Sequence, residues 1–365
     1  MTIAENVLQS DEIAVYRLRS LYRSYGYTPY KMSKFEEYDL YVRNKNFLVS
    51  DNIITFTDIG GKLMALKPDV TLSIIKNHKD IPDATQKIYY NENVYRVSGN
   101  TRAYKEIMQT GLECIGRTDT YCLCEVLSLA AQSLSCISQD FVLDVSHLGI
   151  VSAVLDSLNI SPDGRKKLLC CIGEKNPHGA REICEAESVS PEGAQMLRGL
   201  IAAYGDPKTV LSTLDEILPA DLARAERKEL ADILSVLDVD NIHLDFSVIQ
   251  DMSYYNGIVF KGFISGIPVS VLSGGQYDRL MRRMGRKSSA IGFAVYLDLL
   301  KEMGQRPVVD YDVDTLVLYD DSTDMAKLNE KMQSLIRQGK RVVAQRSVPE
   351  KMRYRDTADM RGTTK

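Results

Sequence analysis

The feature that most constrains the fold is a block of helical periodicity, residues 149–238, that lies between two regions of strand signals. Prolines interrupt this block at intervals of 12 to 16 residues, at Pro162, Pro177, Pro191, Pro207 and Pro219. Proline suits the first turn of a helix and breaks its interior. The spacing therefore predicts a series of short helices.

Strand signals flank the helical block on both sides. Those before it are residues 53–56, 88–96, 107–115 and 141–145, and those after it are 242–249, 254–264 and 267–272. Gly274-Gly275 is expected to turn into a helix over 277–284, and 290–303 to begin as a strand and become a helix. Hairpins rather than βαβ units link these strands, so we expect an α+β fold with an antiparallel sheet core and a helical insertion at about 150–240.

The two ends of the chain carry further elements. Residues 10–25 have amphipathic helical spacing, with Ser10 expected as the N-cap and Gly26 ending the helix. A linker is expected at 304–314, followed by a strand, a helix and a strand up to residue 345 and then about twenty mostly polar residues. The predicted domains are therefore a core over 1–305 and a short α/β segment over 306–365.

Composition excludes several classes of protein. With 44% hydrophobic residues and a net charge of −4 the chain is expected to fold, and a wholly basic nucleic-acid-binding surface is not expected. The longest uncharged stretch, residues 262–277, contains glycines and a proline and is too short for a membrane span. The start of the chain does not read as a signal peptide. The seven cysteines include no C-x-x-C pair and indicate reduced, cytosolic thiols.

Metal and nucleotide signatures are missing as well. The four histidines are scattered, and the chain contains no P-loop, no G-x-S-x-G and no G-x-G-x-x-G. We therefore predict no metal and no cofactor.

Three polar clusters could carry binding chemistry. Asp69 and Thr71 lie at the start of a short predicted helix, where they could equally be N-caps. Gln109, Gly111 and Glu113 alternate along one face of a predicted strand, which could equally be a polar face in water.

The third cluster joins residues 253–260 to residues 273–278. It contains Tyr254 and Tyr255, followed by Asn256-Gly257. An Asn-Gly pair is also typical of a hairpin turn, and the tyrosines could be ordinary core residues.

The order of the clusters resembles the class II aminoacyl-tRNA synthetases, specifically the histidyl-tRNA synthetase family. Val94-Tyr95-Arg96 resembles the arginine segment of its motif 2, and residues 109–113 resemble the strand that holds the amino acid. Residues 253–260 resemble its histidine-specific tyrosine motif, and 274–278 with 290–294 resemble the approach to motif 3. The resemblance covers about residues 10–305 and implies a class II synthetase-like fold.

Departures from the synthetase pattern fall on positions that would carry catalysis. The family's catalytic arginine in the tyrosine motif aligns with Gln250, and the acid that precedes its tyrosine pair aligns with Ser253. The motif 3 arginine aligns with Leu299, and the acid two positions after Arg96 is Ser98. Amino-acid activation needs preorganised cations around the α-phosphate, so these changes predict a protein without that activity.

A synthetase-like chain with a histidine pocket and no activation chemistry resembles the regulatory subunits of ATP phosphoribosyltransferase. That resemblance implies a cytoplasmic, non-catalytic protein that forms a hetero-octamer with a short catalytic subunit, activates the first step of histidine biosynthesis and confers feedback inhibition by histidine. It also implies a homodimer through the synthetase-like core, with helix 10–25 at the interface. The residues expected to bind histidine are Asp69, Thr71, Arg96, Gln109, Glu113, Tyr254 and Tyr255.

Two alternatives stay open from the sequence. The chain could be an active histidyl-tRNA synthetase that uses other cations, or a non-catalytic RNA-binding paralogue. The segment after residue 305 is shorter than a complete anticodon-binding layer, so tRNA binding is not expected. A membrane partner is not expected either.

Overall fold

The computed structural model describes residues 8–44, 53–81, 84–97, 103–237, 239–249, 252, 254–303 and 311–362. The chain forms two compact units, residues 1–303 and residues 304–365.

The strands are β1 (Thr28–Pro29), β2 (Phe35–Glu37), β3 (Thr55–Thr57), β4 (Leu63–Leu66), β5 (Gln86–Val97), β6 (Tyr104–Gly116), β7 (Phe141–His147), β8 (Tyr204–Gly205), β9 (Ile242–Asp245), β10 (Ile258–Ile264), β11 (Leu272–Gln276), β12 (Ser289–Tyr296), β13 (Val313–Leu318), β14 (Val342–Gln345) and β15 (Tyr354–Asp359). The α-helices are α1 (Ser10–Ser24), α2 (Tyr38–Arg43), α3 (Thr71–Asn77), α4 (Thr120–Ile137), α5 (Leu148–Ser157), α6 (Pro162–Gly173), α7 (Pro177–Ala186), α8 (Pro191–Ala202), α9 (Pro207–Ile217), α10 (Arg224–Val236), α11 (Asp278–Arg283) and α12 (Met325–Arg337). A 3₁₀ helix spans Leu297–Met303.

A nine-stranded sheet forms the centre of the first unit, in the order β1-β5-β6-β12-β11-β10-β7-β9-β8. Every neighbouring pair is antiparallel except β1–β5 and β7–β9. The long β5–β6 hairpin supplies one side of the sheet, and β10–β12 continue it. The predicted antiparallel α+β core is therefore confirmed.

The two faces of this sheet differ in chemistry. One face packs against α1 and α4 through a large apolar core that includes Leu112, Leu127 and Phe293, all buried. On the strands, successive side chains point to opposite faces. Glu113, one position beyond Leu112, therefore faces the other side, where α3 and a group of tyrosines cover the sheet.

Helix α4 is long and apolar enough to cross a membrane by length and hydropathy alone. Most of it is nevertheless buried within the fold, where residues such as Val126 and Leu134 pack into the sheet core. It serves here as the central helix of a folded domain.

The insertion consists of α5–α10, as the proline spacing predicts. Helices α6, α7, α8 and α9 each begin with a proline that directly follows an N-cap residue, whose side chain accepts a backbone N–H. These four N-caps are Ser161, Asn176, Ser190 and Asp206. Pro219 differs, because α10 begins five residues later, at Arg224.

The second unit is a parallel three-stranded sheet, β14-β13-β15, with α12 against it. Val317, Leu328 and Leu335 form its small core. The strand–helix–strand pattern predicted up to residue 345 is present.

Four local predictions were wrong. The strand predicted at 267–272 is displaced, because these residues form turns and bends up to the start of β11 at Leu272. Strand β15 occupies a stretch expected to be a polar tail, because an edge strand with exposed positions carries little hydrophobic signal. Gly274 and Gly275 lie within β11 rather than in a turn. A Cβ on Gly274 would come within 2.4 Å of the Gly292 carbonyl oxygen, so close strand contact explains this glycine. The N-cap of α1 is Gln9 rather than Ser10, and the Glu12 carboxylate accepts the Gln9 N–H.

Candidate ligand site in the synthetase-like unit

A cavity of about 460 Å³ lies on the polar face of the large sheet. All seven residues predicted to bind histidine line this cavity: Asp69, Thr71, Arg96, Gln109, Glu113, Tyr254 and Tyr255. They come from β5, β6, the start of α3 and the segment before β10, so the fold brings together residues up to 186 positions apart in the sequence.

Glu113 lies at the base of the cavity and is 2% exposed. Its Oε1 accepts a hydrogen bond from the Thr71 hydroxyl at 2.9 Å, and its Oε2 accepts one from the Tyr277 hydroxyl at 2.6 Å. Burial raises the pKa of this carboxyl to about 8, although both hydroxyl donors act in the opposite direction. A positively charged or N–H-donating ligand group beside Glu113 would therefore favour the ionised form of this carboxyl.

Gly292 makes room for this carboxylate. It lies directly opposite Glu113 in the β6–β12 register, and a Cβ at this position would lie 1.7 Å from Glu113 Oε2. The approach is possible only because glycine has no side chain.

Asp69 and Thr71 come from the start of α3. The Asp69 carboxylate accepts the Leu72 backbone N–H at 2.9 Å, as expected of a residue that caps a helix. Burial nevertheless raises its pKa, and the charge of Arg96 opposes that rise. Capping the helix and lining the cavity are therefore compatible roles for Asp69.

Tyrosines form a wall of the cavity. The Tyr254 and Tyr255 rings are 4.5 Å apart, and the Tyr254 and Tyr277 rings are 5.9 Å apart. Burial raises the pKa of these three phenols, and that of Tyr90, well above the ordinary value. The hydroxyls therefore stay neutral and can donate or accept hydrogen bonds.

Arg96 projects from the far end of β5 on the cavity side. Its Nε donates to the Pro68 carbonyl oxygen at 3.0 Å, which fixes the guanidinium near the start of α3. Beneath it, the fully buried Lys67 ammonium pairs with Glu92 at 3.0 Å. Because Lys67 is engaged within the protein, Arg96 is the cation that this side of the cavity offers to a ligand.

Several lining residues were not predicted as site residues. Tyr277 lies inside the segment 274–278 that resembles the family motif, but the sequence did not predict that its hydroxyl would contact Glu113. Lys261, Ser273 and Tyr296 required the register of β10, β11 and β12, which the sequence does not reveal.

The departures from the synthetase pattern are only partly visible. Leu299 packs against the apolar core of the first unit, and the neighbouring Asp298 carboxylate accepts the Met108 N–H at 3.1 Å. Ser98, Gln250 and Ser253 lie outside the described residues. Within the part of the chain that the structure describes, no cluster of His, Cys, Asp and Glu side chains could hold a metal ion.

Comparison with known proteins places these features in a family. The model of the histidyl-tRNA synthetase family matches residues 6–300. An ATP phosphoribosyltransferase regulatory subunit from Oceanobacillus iheyensis is 26% identical, over 83% of this chain and 76% of the relative. A regulatory subunit of the same name from Geobacter metallireducens is 30% identical, over 68% of this chain and 60% of the relative.

Solved structures show the same fold. The crystal structure of an ATP phosphoribosyltransferase regulatory subunit/histidyl-tRNA synthetase from Bacillus halodurans superposes with a TM-score of 0.79 at 22% identity, over 97% of this chain and 94% of that chain. A chain of the ATP phosphoribosyl transferase (HisG:HisZ) complex from Thermotoga maritima superposes with a TM-score of 0.62 at 20% identity, over 78% of this chain and 96% of that chain. The resemblance seen in the motifs is thus confirmed, and the chain belongs to the histidyl-tRNA synthetase family, in which its named relatives are ATP phosphoribosyltransferase regulatory subunits.

Proposed function

We propose that this protein is the non-catalytic regulatory subunit of an ATP phosphoribosyltransferase. It acts with a short catalytic subunit in the first step of histidine biosynthesis and confers feedback inhibition by histidine. The observation that supports the proposal is a cavity lined by all seven residues that resemble the amino-acid-binding residues of the family, while Leu299 stands where the resemblance places the motif 3 arginine.

Histidine suits the chemistry of the cavity. Its ammonium and ring N–H groups are donors, and Glu113 and Asp69 offer carboxylate acceptors at one end. The tyrosine hydroxyls can donate to a ring nitrogen or accept from it. Arg96 supplies a guanidinium, a cation that can bind an oxyanion in a bidentate manner. By resemblance, Thr71 and Gln109 complete the set.

The same cavity is poorly equipped to activate an amino acid with ATP. Activation requires cations that stabilise charge on the transferred phosphate, and each is worth several kcal/mol of barrier. Gln250 and Leu299 replace two family arginines in the sequence, and neither side chain carries a charge. We therefore assign the chain a binding role rather than a synthetase activity.

We further propose a hetero-octamer with the catalytic subunit, built on a homodimer of the synthetase-like unit, in the cytoplasm. The C-terminal unit has three strands and one helix among its described residues, so we do not assign it tRNA recognition.

The test is to mix the protein with a short-form catalytic subunit, ATP and phosphoribosyl pyrophosphate, and to measure phosphoribosyl-ATP formation with and without histidine. We expect strong stimulation by the protein and inhibition by histidine. Absence of both effects would refute the proposal. Histidine-dependent ATP–pyrophosphate exchange by the protein alone would instead identify an active synthetase.

A further inference from the structure

A second cation lines the cavity on the wall opposite Arg96. Lys261 lies on β10 at one end of a row of paired residues that crosses four strands, Gly111–Ala294–Ser273–Lys261. Directly paired residues on antiparallel strands point their side chains to the same face. The row therefore runs across the polar face of the sheet, and Ala294, Ser273 and Lys261 line the cavity.

The two cations are far apart in the sheet. Arg96 lies on β5 and Lys261 on β10, with β6, β12 and β11 between them. Four strand spacings of about 4.8 Å separate their strands by roughly 19 Å. A cavity with cations on opposite walls has room for an oxyanion on each side.

The Lys261 ammonium is not used within the described part of the chain, where it makes no hydrogen bond and no ion pair. Its cross-strand neighbour on β7 is Asp144, the natural partner for a lysine in this position. Yet Asp144 is 7% exposed and its Oδ1 has no hydrogen-bond partner among the described residues. Lys261 therefore faces the cavity rather than this acid.

Hydroxyl groups surround the Lys261 end of the cavity. The Ser273 and Tyr296 hydroxyls are 2.7 Å apart and hydrogen-bonded to each other, and Ser270 lines the same cavity. An ammonium beside hydroxyl donors is a typical environment for a carboxylate or a phosphate. No acidic side chain belongs to this group of lining residues.

We propose that Lys261, with the Ser273 and Tyr296 hydroxyls, forms an oxyanion subsite at the end of the cavity remote from Glu113. This inference rests on the proposed histidine-binding function for one of its two sources of oxyanion. The first source is the carboxylate of the bound amino acid, and the second is a phosphate group that binds beside it.

The experiment compares the full-length protein with its Lys261→Gln variant by isothermal titration of histidine, of histamine, which lacks the carboxylate, and of inorganic phosphate with histidine present. If Lys261 binds the carboxylate, histidine affinity falls at least tenfold and histamine affinity changes less than twofold. If it binds phosphate, phosphate binding is lost and histidine affinity is retained. Unchanged titrations of all three would overturn the subsite.

Matched variants keep the result interpretable. Lys208→Gln removes an equal charge from the exposed face of α9 and should change nothing. Lys261→Arg should restore most of the lost affinity, because it restores the cation. If Lys261→Gln does not fold, Ser273→Ala tests the same subsite and should weaken the same titration by at least threefold, and no weakening would overturn the proposal. Absence of histidine and histamine binding to the unsubstituted protein would refute the proposed function, and the phosphate titration would still decide the subsite.

Discussion

Two regions of the synthetase-like unit, around Glu113 and around Leu299, lie on neighbouring strands but differ in the polarity of their surroundings. Around Glu113 of β6, the hydroxyl of Thr71 at the start of α3 and the hydroxyl of Tyr277 just before α11 both donate to the buried carboxylate. After β12, the 3₁₀ helix places Leu299 against the apolar core, at the position that the motif resemblance matches to an arginine of the family. One region keeps a polar, ligand-ready environment and the other has become ordinary packing.

On the proposed function, the difference means that binding and catalysis occupy separable parts of this fold. A histidine pocket needs one buried acid, its hydroxyl donors and a floor of small residues. Activation needs additional cations at positions that contribute little to the pocket itself. We therefore propose that replacing those cations removes the activation chemistry and preserves histidine recognition.

The largest expected effect comes from Glu113→Ala. Loss of a buried acceptor for a charged donor should weaken histidine binding about 100-fold, equivalent to about 2.7 kcal/mol. Phosphoribosyl-ATP formation by the assembled complex should then resist histidine, while stimulation by the protein persists. Glu185→Ala, on an exposed face of α7, is the matched control. Unchanged inhibition in Glu113→Ala would move histidine out of this cavity.

Gly292→Ala should have the next largest effect. The added methyl group would collide with Glu113 Oε2 and displace the carboxylate from Thr71 and Tyr277. We expect histidine affinity to fall about tenfold, or about 1.4 kcal/mol, measured by titration calorimetry. Gly173→Ala serves as control, because a Cβ there meets nothing within 4 Å. Equal affinities in the two variants would show that the Glu113 position is unimportant.

Histidine affinity should also depend on pH through Glu113. In the empty cavity its pKa of about 8 leaves the carboxyl mostly protonated at pH 7 and half ionised at pH 8. A cationic ligand favours the ionised form, so affinity should rise about fivefold between these pH values, with proton release on binding. The Glu113→Gln variant should lose this dependence. An affinity that falls over the same interval would contradict the proposed pairing.

Asp144→Asn changes a residue that does not line the cavity and should have the smallest effect on histidine binding. Its expected effect is on thermal stability. Burial, aided by the charge of Asp245, raises the pKa of Asp144 to about 6 against an opposing effect of Lys175, and His243 lies 3.8 Å away. A raised pKa stabilises the fold at low pH, and that contribution is lost as pH rises from about 4 to above 6. The variant should therefore unfold at a higher temperature than the parent at pH 8 and show no gain at pH 4. Calorimetric melts at both pH values provide the measurement.

Much of the fold is encoded in local sequence signals. The prolines of the insertion, the β5–β6 hairpin and α4 were all predictable, because each follows a strong periodicity or a helix-start rule. Strand β15 and the glycines of β11 were not, because their identity depends on edge position and on contacts with distant strands.

The candidate site also contains residues that the sequence predicts and residues that it does not. The seven predicted residues could be identified from the order of the motifs alone. Lys261 and Tyr296 emerge only from the pairing of β10, β11 and β12, which joins residues distant in sequence. The raised pKa of Glu113 likewise depends on burial that no local pattern specifies.

A crystal structure of the protein soaked with histidine would test most directly whether the cavity binds histidine. We predict histidine in the cavity, with a ring or ammonium nitrogen within hydrogen-bonding distance of Glu113 and the ring beside Tyr255. An empty cavity, with histidine bound elsewhere on the protein, would contradict the claim that this fold has kept the amino-acid pocket of the synthetases as its regulatory site.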